Sequence, residues 1–259
     1  VGRRRAAPEV VALVGELAVL RDPTRPTGRL LLQGDMEASY VDLADERHVE
    51  FDYLRRMRDL VELTDARRVV HVGGAGCALA RALASAHPRH RQEVLEVDPA
   101  VLAVARDHLG LRRAPGLRVR VGDGRAALAR RAAGSADAVL VDAFVGARVP
   151  RRLVTVEAFE DMARVVAPRG LVAVNVVDSR ALGDSAAIGA ALERVFPHVC
   201  AIGPSALLAR RRAGNVVLAG AHVPLPLARL RTRAAADASP TVVQTRLPAG
   251  EAWRDEAAA

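Results

Sequence analysis

Four short segments carry residues whose types could handle a hydroxylated, nitrogenous small molecule. Gly73-Gly74-Ala75-Gly76 follows the β-branched run Val69-Val70-His71-Val72. Glycines at such a point let the backbone approach a ligand closely, and a following helix presents unpaired N–H groups. Glu96 ends the next apolar run, 23 residues after Gly73. A carboxylate at that spacing can accept both hydroxyls of a ribose. Val121-Gly122-Asp123-Gly124 ends a third run, and a carboxylate there can accept the amino group of adenine. Val139-Leu140-Val141-Asp142 delivers one more acid.

These segments need elements that bring them to one edge. Val49, Tyr53, Leu54, Met57, Leu60 and Val61 share one helical face. After it, strands alternate with helices: Val69–Val72, Glu93–Val97, Arg118–Val121, Ala138–Val141 and Leu171–Val177 read as strands. Asp98 and Pro99 read as the cap and first turn of one intervening helix. Val199–Ile202 and Val216–Ala219 close the series as an antiparallel pair. Such alternation predicts an α/β fold, a mostly parallel sheet with helices on both faces. Ligands of open α/β sheets bind at the carboxyl ends of the strands, where all four segments fall. Nicotinamide enzymes share the first two features but do not need Gly-Asp-Gly. The set therefore favours S-adenosylmethionine or its decarboxylated form.

Ahead of this unit, Glu16–Arg21, Arg29–Gln33 and Ala38–Leu43 predict a three-stranded meander, separated by Pro-Gly and Gly-Asp turns. The expected organisation is a β unit over 1–45, a linking helix over 46–65, a nucleotide-binding unit over 66–222 and a partly mobile tail over 223–259.

Composition narrows the classes further. The 259 residues are 51% hydrophobic but only 3% aromatic, which gives an aliphatic core and excludes a disordered chain. No run approaches the ~18 uncharged apolar residues of a membrane span. All 38 basic residues are Arg, against 30 acids, for a net charge of +8. They are spread as pairs expected mainly on helix surfaces (Arg55-Arg56, Arg67-Arg68, Arg112-Arg113, Arg130-Arg131), a compositional bias rather than a nucleic-acid footprint. Arg210-Arg211-Arg212 is the one triple inside the body of the chain. Arg3-Arg4-Arg5 before Val10–Leu20 imitates a signal peptide, but Glu16 interrupts it and no cleavage site follows. Cys77 and Cys200 make neither a disulfide framework nor a zinc site, which reads as a reducing cytoplasm. Cys77 is expected to start a helix, and His71 to be a satisfied core histidine. His87 and His90 lack ligand spacing, so no metal is expected.

In order and spacing, the segments resemble the spermidine synthase (polyamine aminopropyltransferase) family, specifically its divergent actinobacterial-type members. Ser39-Tyr40-Val41-Asp42-Leu43, His71–Gly76, Leu95-Glu96-Val97-Asp98, Gly122-Asp123-Gly124 and Val141-Asp142-Ala143-Phe144 carry the likeness. It implies a β-stranded N-terminal domain, a seven-stranded Rossmann-like class I methyltransferase core, and a homodimer or higher homo-oligomer. It also implies decarboxylated S-adenosylmethionine as co-substrate, with Gly73, Gly74, Gly76 and Gly124 shaping the site. Glu96 would hold the ribose, Asp123 the adenine, and Asp142 the reacting amine, whose proton it would take.

Departures from the family bear on the acceptor. Gly73–Leu79 lacks the acid expected in the glycine turn, and Val145 stands where a second Asp is expected. Glu37-Ala38 replaces a Gln. A diamine dication wants carboxylates at both ends, so these losses argue against putrescine. Asp35, Glu37, Asp42, Glu50 and Asp52 are candidate replacements, with Tyr40 and Tyr53 as candidate lining residues. Two other readings keep the nucleotide site: an S-adenosylmethionine-dependent methyltransferase, and a catalytically silent nucleoside-binding protein.

Overall fold

The computed structural model describes residues 8–111 and 116–256. Arg3-Arg4-Arg5 and Arg112-Arg113 lie outside the described residues. The chain opens with β1 (Glu9–Val14), β2 (Leu17–Arg21), β3 (Gly28–Gln33) and β4 (Met36–Asp42), an antiparallel sheet in that order. The sequence reading of three strands is thus one short. The stretch that imitates a signal peptide is the β1–β2 hairpin, turned at Gly15 with φ +58.

Helix α1 (Asp52–Leu63) leads into the larger unit. There follow β5 (Arg68–Gly73), α2 (Ala78–Ala86), β6 (Arg91–Glu96), α3 (Pro99–His108), β7 (Leu117–Val121), α4 (Gly124–Ala129) and β8 (Ala136–Asp142). A short 3-10 helix (Arg151–Leu153), α5 (Val156–Val165), β9 (Val166–Asp178), α6 (Gly183–Val195) and β10 (His198–Pro204) come next. The chain ends through α7 (Ser205–Leu208), β11 (Gly214–Ala221), α8 (Leu227–Ala235) and β12 (Thr241–Gln244).

The large sheet has the order β12-β10-β11-β9-β8-β5-β6-β7. β9, β8, β5, β6 and β7 pair in parallel; β11, β10 and β12 then pair antiparallel in turn, so β11 and β12 run against the parallel strands and β10 runs with them. It is the α/β architecture expected, enlarged by one strand because residues 223–259 are not a plain tail: they supply α8 and β12.

Local chemistry sets the helix starts. Asp98 caps α3 by accepting from Ala100 N at 2.8 Å, with Pro99 fixing the first turn. Asp123 caps α4 through Ala126 N at 2.8 Å, and Thr155 caps α5 through Ala158 N at 3.1 Å. The aliphatic core splits into two clusters on the two faces of the sheet. Met57, Leu60, Leu83 and Leu102 are fully buried on one face, Phe159, Met162 and Leu192 on the other. At ~1.5–3 kcal/mol per large side chain, these layers hold the strand ends in place. His71 is buried against Gln92 Oε1 at 2.9 Å, and burial pushes its pKa down to about 4. Arg56 departs from the surface reading, being only 3% exposed.

Candidate active site

A cavity of about 1450 Å³ opens at the carboxyl ends of β5, β6, β8 and β9 and extends beneath the N-terminal sheet. Its floor is the glycine turn. Gly73 has φ +80, and a Cβ there would meet the Asp142 carbonyl oxygen at 2.5 Å and Ala143 Cβ at 2.8 Å. Only glycine lets β5 and β8 end this close together. Behind the turn, a Cβ on Gly76 would meet Ser39 Oγ at 2.6 Å, so β4 is packed directly on it. Gly74 lines the cavity, whereas Gly76 does not. Gly124 lines it too and packs on Val72. Cys77 starts α2 as a buried residue whose thiol burial pushes up to about 12, so no thiolate is available.

Glu96 lines the cavity beside this turn, 8% exposed. Its Oε2 accepts from Ala75 N at 3.3 Å and its Oε1 from Asp98 N at 3.1 Å. Each oxygen therefore keeps a lone pair for a hydroxyl. Burial raises its pKa, offset by those backbone donors. A buried carboxylate with spare acceptors beside a glycine floor fits a nucleoside ribose.

Asp142 ends β8 in register with Gly73, deep in protein yet with a face on the cavity. Asn175 Nδ2 donates to its Oδ1 at 2.9 Å, and Tyr53 Oη donates to its Oδ2 at 3.4 Å. Desolvation by burial lifts its pKa to about 6, against the lowering by Asn175 and Tyr53. Burial likewise holds the Tyr53 phenol well above its ordinary value, so it stays a donor. Asn175 itself is completely buried and accepts from Asn215 Nδ2 at 3.1 Å. The result is a carboxylate oriented from two sides and ionised for the most part at pH 7.

The remaining sequence candidates are placed less uniformly. Asp123 is not among the cavity-lining residues: one oxygen caps α4, and Arg152 is ion-paired with the carboxylate. Tyr40 lines the cavity, but its hydroxyl donates to Asp22 Oδ2 at 2.7 Å. Asp52 lines it with its carboxylate held by Arg55. Asp42 pairs with Arg25 at 2.8 Å. Glu37 and Val145 are both exposed at the cavity. Sequence reasoning missed Asn215, Arg56, Arg152 and Arg212. Their one prior signal was the Arg triple, whose last member lines the cavity.

No family model matches the chain. A polyamine aminopropyltransferase of Vibrio vulnificus is 27% identical over 148 residues, 56% of this chain and 49% of that protein. One from Chromobacterium violaceum is 29% identical over 178 residues, 67% of this chain and 66% of that protein. The chain thus matches about half to two thirds of the length of these curated relatives. Over nearly its whole length it superposes on the crystal structure of a probable spermidine synthase from Corynebacterium glutamicum. The TM-score is 0.86 at 25% identity, covering 93% of this chain and 94% of that one. In sequence and in fold the chain is similar to spermidine synthases. The chain is also similar in fold to human methyltransferase-like protein 13 in complex with SAH, with a TM-score of 0.51 at 23% identity over 67% of this chain and 80% of that one. Spermidine synthase and methyltransferase thus share this sheet, and the N-terminal antiparallel sheet is an addition to it.

Proposed function

We propose that this protein is a transferase that moves an aminopropyl group from decarboxylated S-adenosylmethionine to an amine acceptor. The observation that carries the reading is Asp142: a carboxylate with a pKa of about 6, fixed by Asn175 and Tyr53, between the glycine turn and the open remainder of the cleft. Alkyl amines have pKa values near ~10.4 and arrive protonated, without the lone pair that attack requires. Burial brings Asp142 closer to that range, and a positioned base contributes ~10²–10⁴ in rate.

Glu96 would hold the ribose hydroxyls and the glycine turn would accept the close approach of the nucleoside. The bound co-substrate supplies a carbon activated by an adjacent sulfonium. Asp142 takes the proton from the amine as the nitrogen forms its bond to that carbon. The carbon–sulfur bond breaks and its electron pair stays on sulfur, so methylthioadenosine leaves as a neutral thioether. The Asp123 role at adenine requires Arg152 to share or release the carboxylate. Asp142, Glu96, Gly73 and Gly74 are our primary site assignments, and the acceptor is argued to differ from putrescine.

Three further attributes belong to the same proposal. β1 exposes Val10, Leu13 and Val14 on the edge of the N-terminal sheet, which supports self-association as a dimer or larger homo-oligomer. Among the described residues no helix is long and apolar enough to cross a membrane; the cytoplasmic location is proposed from the two free, buried cysteines. The boundaries 1–45, 46–65 and 66–222 are retained as proposed units.

Mass spectrometry of the thioether released from each co-substrate tests the function. Methylthioadenosine with an aminopropylated amine is the expected result. S-adenosylhomocysteine with a methylated product would replace the reading by methyl transfer. Measurable binding with neither product would leave a silent nucleoside-binding protein.

A further inference from the structure

Beyond Glu96 the cleft joins apolar surface to one charged pair. Val97, the next residue along, lines the cavity and is 62% exposed although apolar. β6 and β7 pair Glu96 with Val121, and Gly122 N donates to Glu96 O at 2.9 Å. Asp123 therefore lies one strand over from the ribose acceptor. From the other side the short 3-10 helix brings Pro150 and Leu153 to the cavity and Arg152 to Asp123. A flat base joined to a ribose at Glu96 would rest on these apolar side chains and turn its edge to the pair.

The pair has capacity left on both members. Arg152 Nη1 meets Asp123 Oδ2, while Oδ1 accepts from Ala126 N at 2.8 Å. Against partial burial, the Ala126 amide and the Arg152 guanidinium hold the Asp123 carboxyl below its ordinary range, so it is ionised. Oδ2 keeps a second lone pair. Among the described residues Arg152 bonds to nothing but Asp123, so most of its N–H groups are unspent. Of the two, it is Arg152 that lines the cavity. Its backbone is held in place: Leu153 N donates to Pro150 O at 2.8 Å and Val156 N to Trp253 O at 2.9 Å. The Arg151 guanidinium lies over the Trp253 ring, 5.5 Å from its centroid.

An ion pair with a spare carboxylate lone pair and spare guanidinium N–H groups offers an acceptor beside a donor. Adenine matches it, because its exocyclic amino group donates and the ring nitrogens on either side, N1 and N7, accept. Hypoxanthine does not: its carbonyl oxygen would face the carboxylate, and its N1–H would face the guanidinium. We propose that Arg152 reads the base, donating to an adenine ring nitrogen next to the amino group while Asp123 orients the guanidinium and accepts from that amino group. This rests on the nucleoside-binding reading above.

Calorimetry with four nucleosides tests it: methylthioadenosine, its 1-deaza and 7-deaza analogues, and methylthioinosine. In the unaltered protein one deaza analogue should bind at least about fivefold more weakly than methylthioadenosine, and methylthioinosine at least about tenfold more weakly. Arg152→Met should melt near the parent's temperature, because the side chain it replaces is half exposed. It should bind methylthioadenosine about fivefold more weakly, and the deaza penalty should shrink to about twofold or less. Arg152→Lys keeps a charge against Asp123 without the fork and should lose the deaza penalty as well. No deaza penalty in the parent, or a penalty undiminished in Arg152→Met, would overturn the proposal and leave nucleoside binding standing. Tighter methylthioadenosine binding by Arg152→Met would also overturn it, making the ion pair a latch that the base must open. No binding of methylthioadenosine by the parent would overturn the nucleoside reading together with the proposal.

Discussion

The nucleotide half of the cleft is built from strands that follow one another in the chain, whereas the acceptor half is built from elements far apart in it. Gly73, Glu96 and Asp142 end β5, β6 and β8 within 70 positions. Around Asp142, the other half draws Tyr53 from α1, Asn175 from β9 and Asn215 from β11. The first arrangement supplies a glycine floor and a buried acceptor. The second is a junction of side chains from separate elements.

The strongest way to break this comparison acts at its boundary. Asp142→Asn keeps the size and one acceptor for Asn175 but removes the base. Turnover should fall by ~10²–10⁴ while methylthioadenosine binding stays near normal, because Glu96 is untouched. Raising the pH should partly restore turnover, since more amine arrives deprotonated. In the unaltered protein, turnover should decline as pH falls through about 6, the Asp142 pKa, and the variant should lack that limb. Stability should move the other way. A folded pKa above the ordinary 3.8 means the folded state binds the proton more tightly than the unfolded one. Stability is therefore lost as pH rises from about 3.8 through about 6, by up to roughly 2–3 kcal/mol. The variant, free of that loss, should melt higher than the parent near pH 7. Full activity in a stable variant, or a lower melting temperature with weakened nucleotide binding, would make Asp142 a structural acid.

A smaller effect tests the nucleotide half alone. Glu96→Ala removes the acceptor for ribose hydroxyls and frees Ala75 N and Asp98 N. At ~1.5–3 kcal/mol for a bond to a charged group, affinity for methylthioadenosine should fall at least tenfold. Glu96→Gln keeps one acceptor oxygen and should retain most of the melting temperature while still binding more weakly. Equal calorimetric affinity in both variants and the parent would remove Glu96 from the ribose.

What could be read from the sequence follows the same division. The Gly73, Glu96 and Asp142 ends were legible because each closes an apolar run, so the side chain's address is given by its own strand. Asp123 was read by the same rule and is placed differently, because a residue that ends a strand also starts a helix: its carboxylate caps α4 and meets Arg152. Asn215 and Arg56 gave no local signal. Their position depends on β11 reversing direction beside β9 and on α1 crossing to β12, where Arg56 reaches Thr241 Oγ1. β12 was hidden for a related reason. Four residues between prolines and polar segments become a strand only when β10 is there to pair with them.

The smallest expected effect sharpens the boundary itself. Tyr53→Phe deletes the hydroxyl that donates to Asp142 at 3.4 Å but keeps the ring that stacks on Phe51 with centroids 5.8 Å apart. The bond is long, and Asn175 still donates at 2.9 Å, so Asp142 should remain in place. Losing a donor that lowers the carboxylate pKa should move the acidic limb of turnover to higher pH. At pH 7 the rate should drop only a few fold, from the smaller ionised fraction and looser orientation. At pH 8 most of that loss should disappear, while methylthioadenosine affinity stays unchanged throughout. A loss that persists equally at both pH values would assign the Tyr53 hydroxyl to contact with the acceptor amine rather than to tuning of Asp142. A loss of nucleotide affinity would mean that the two halves are coupled through α1.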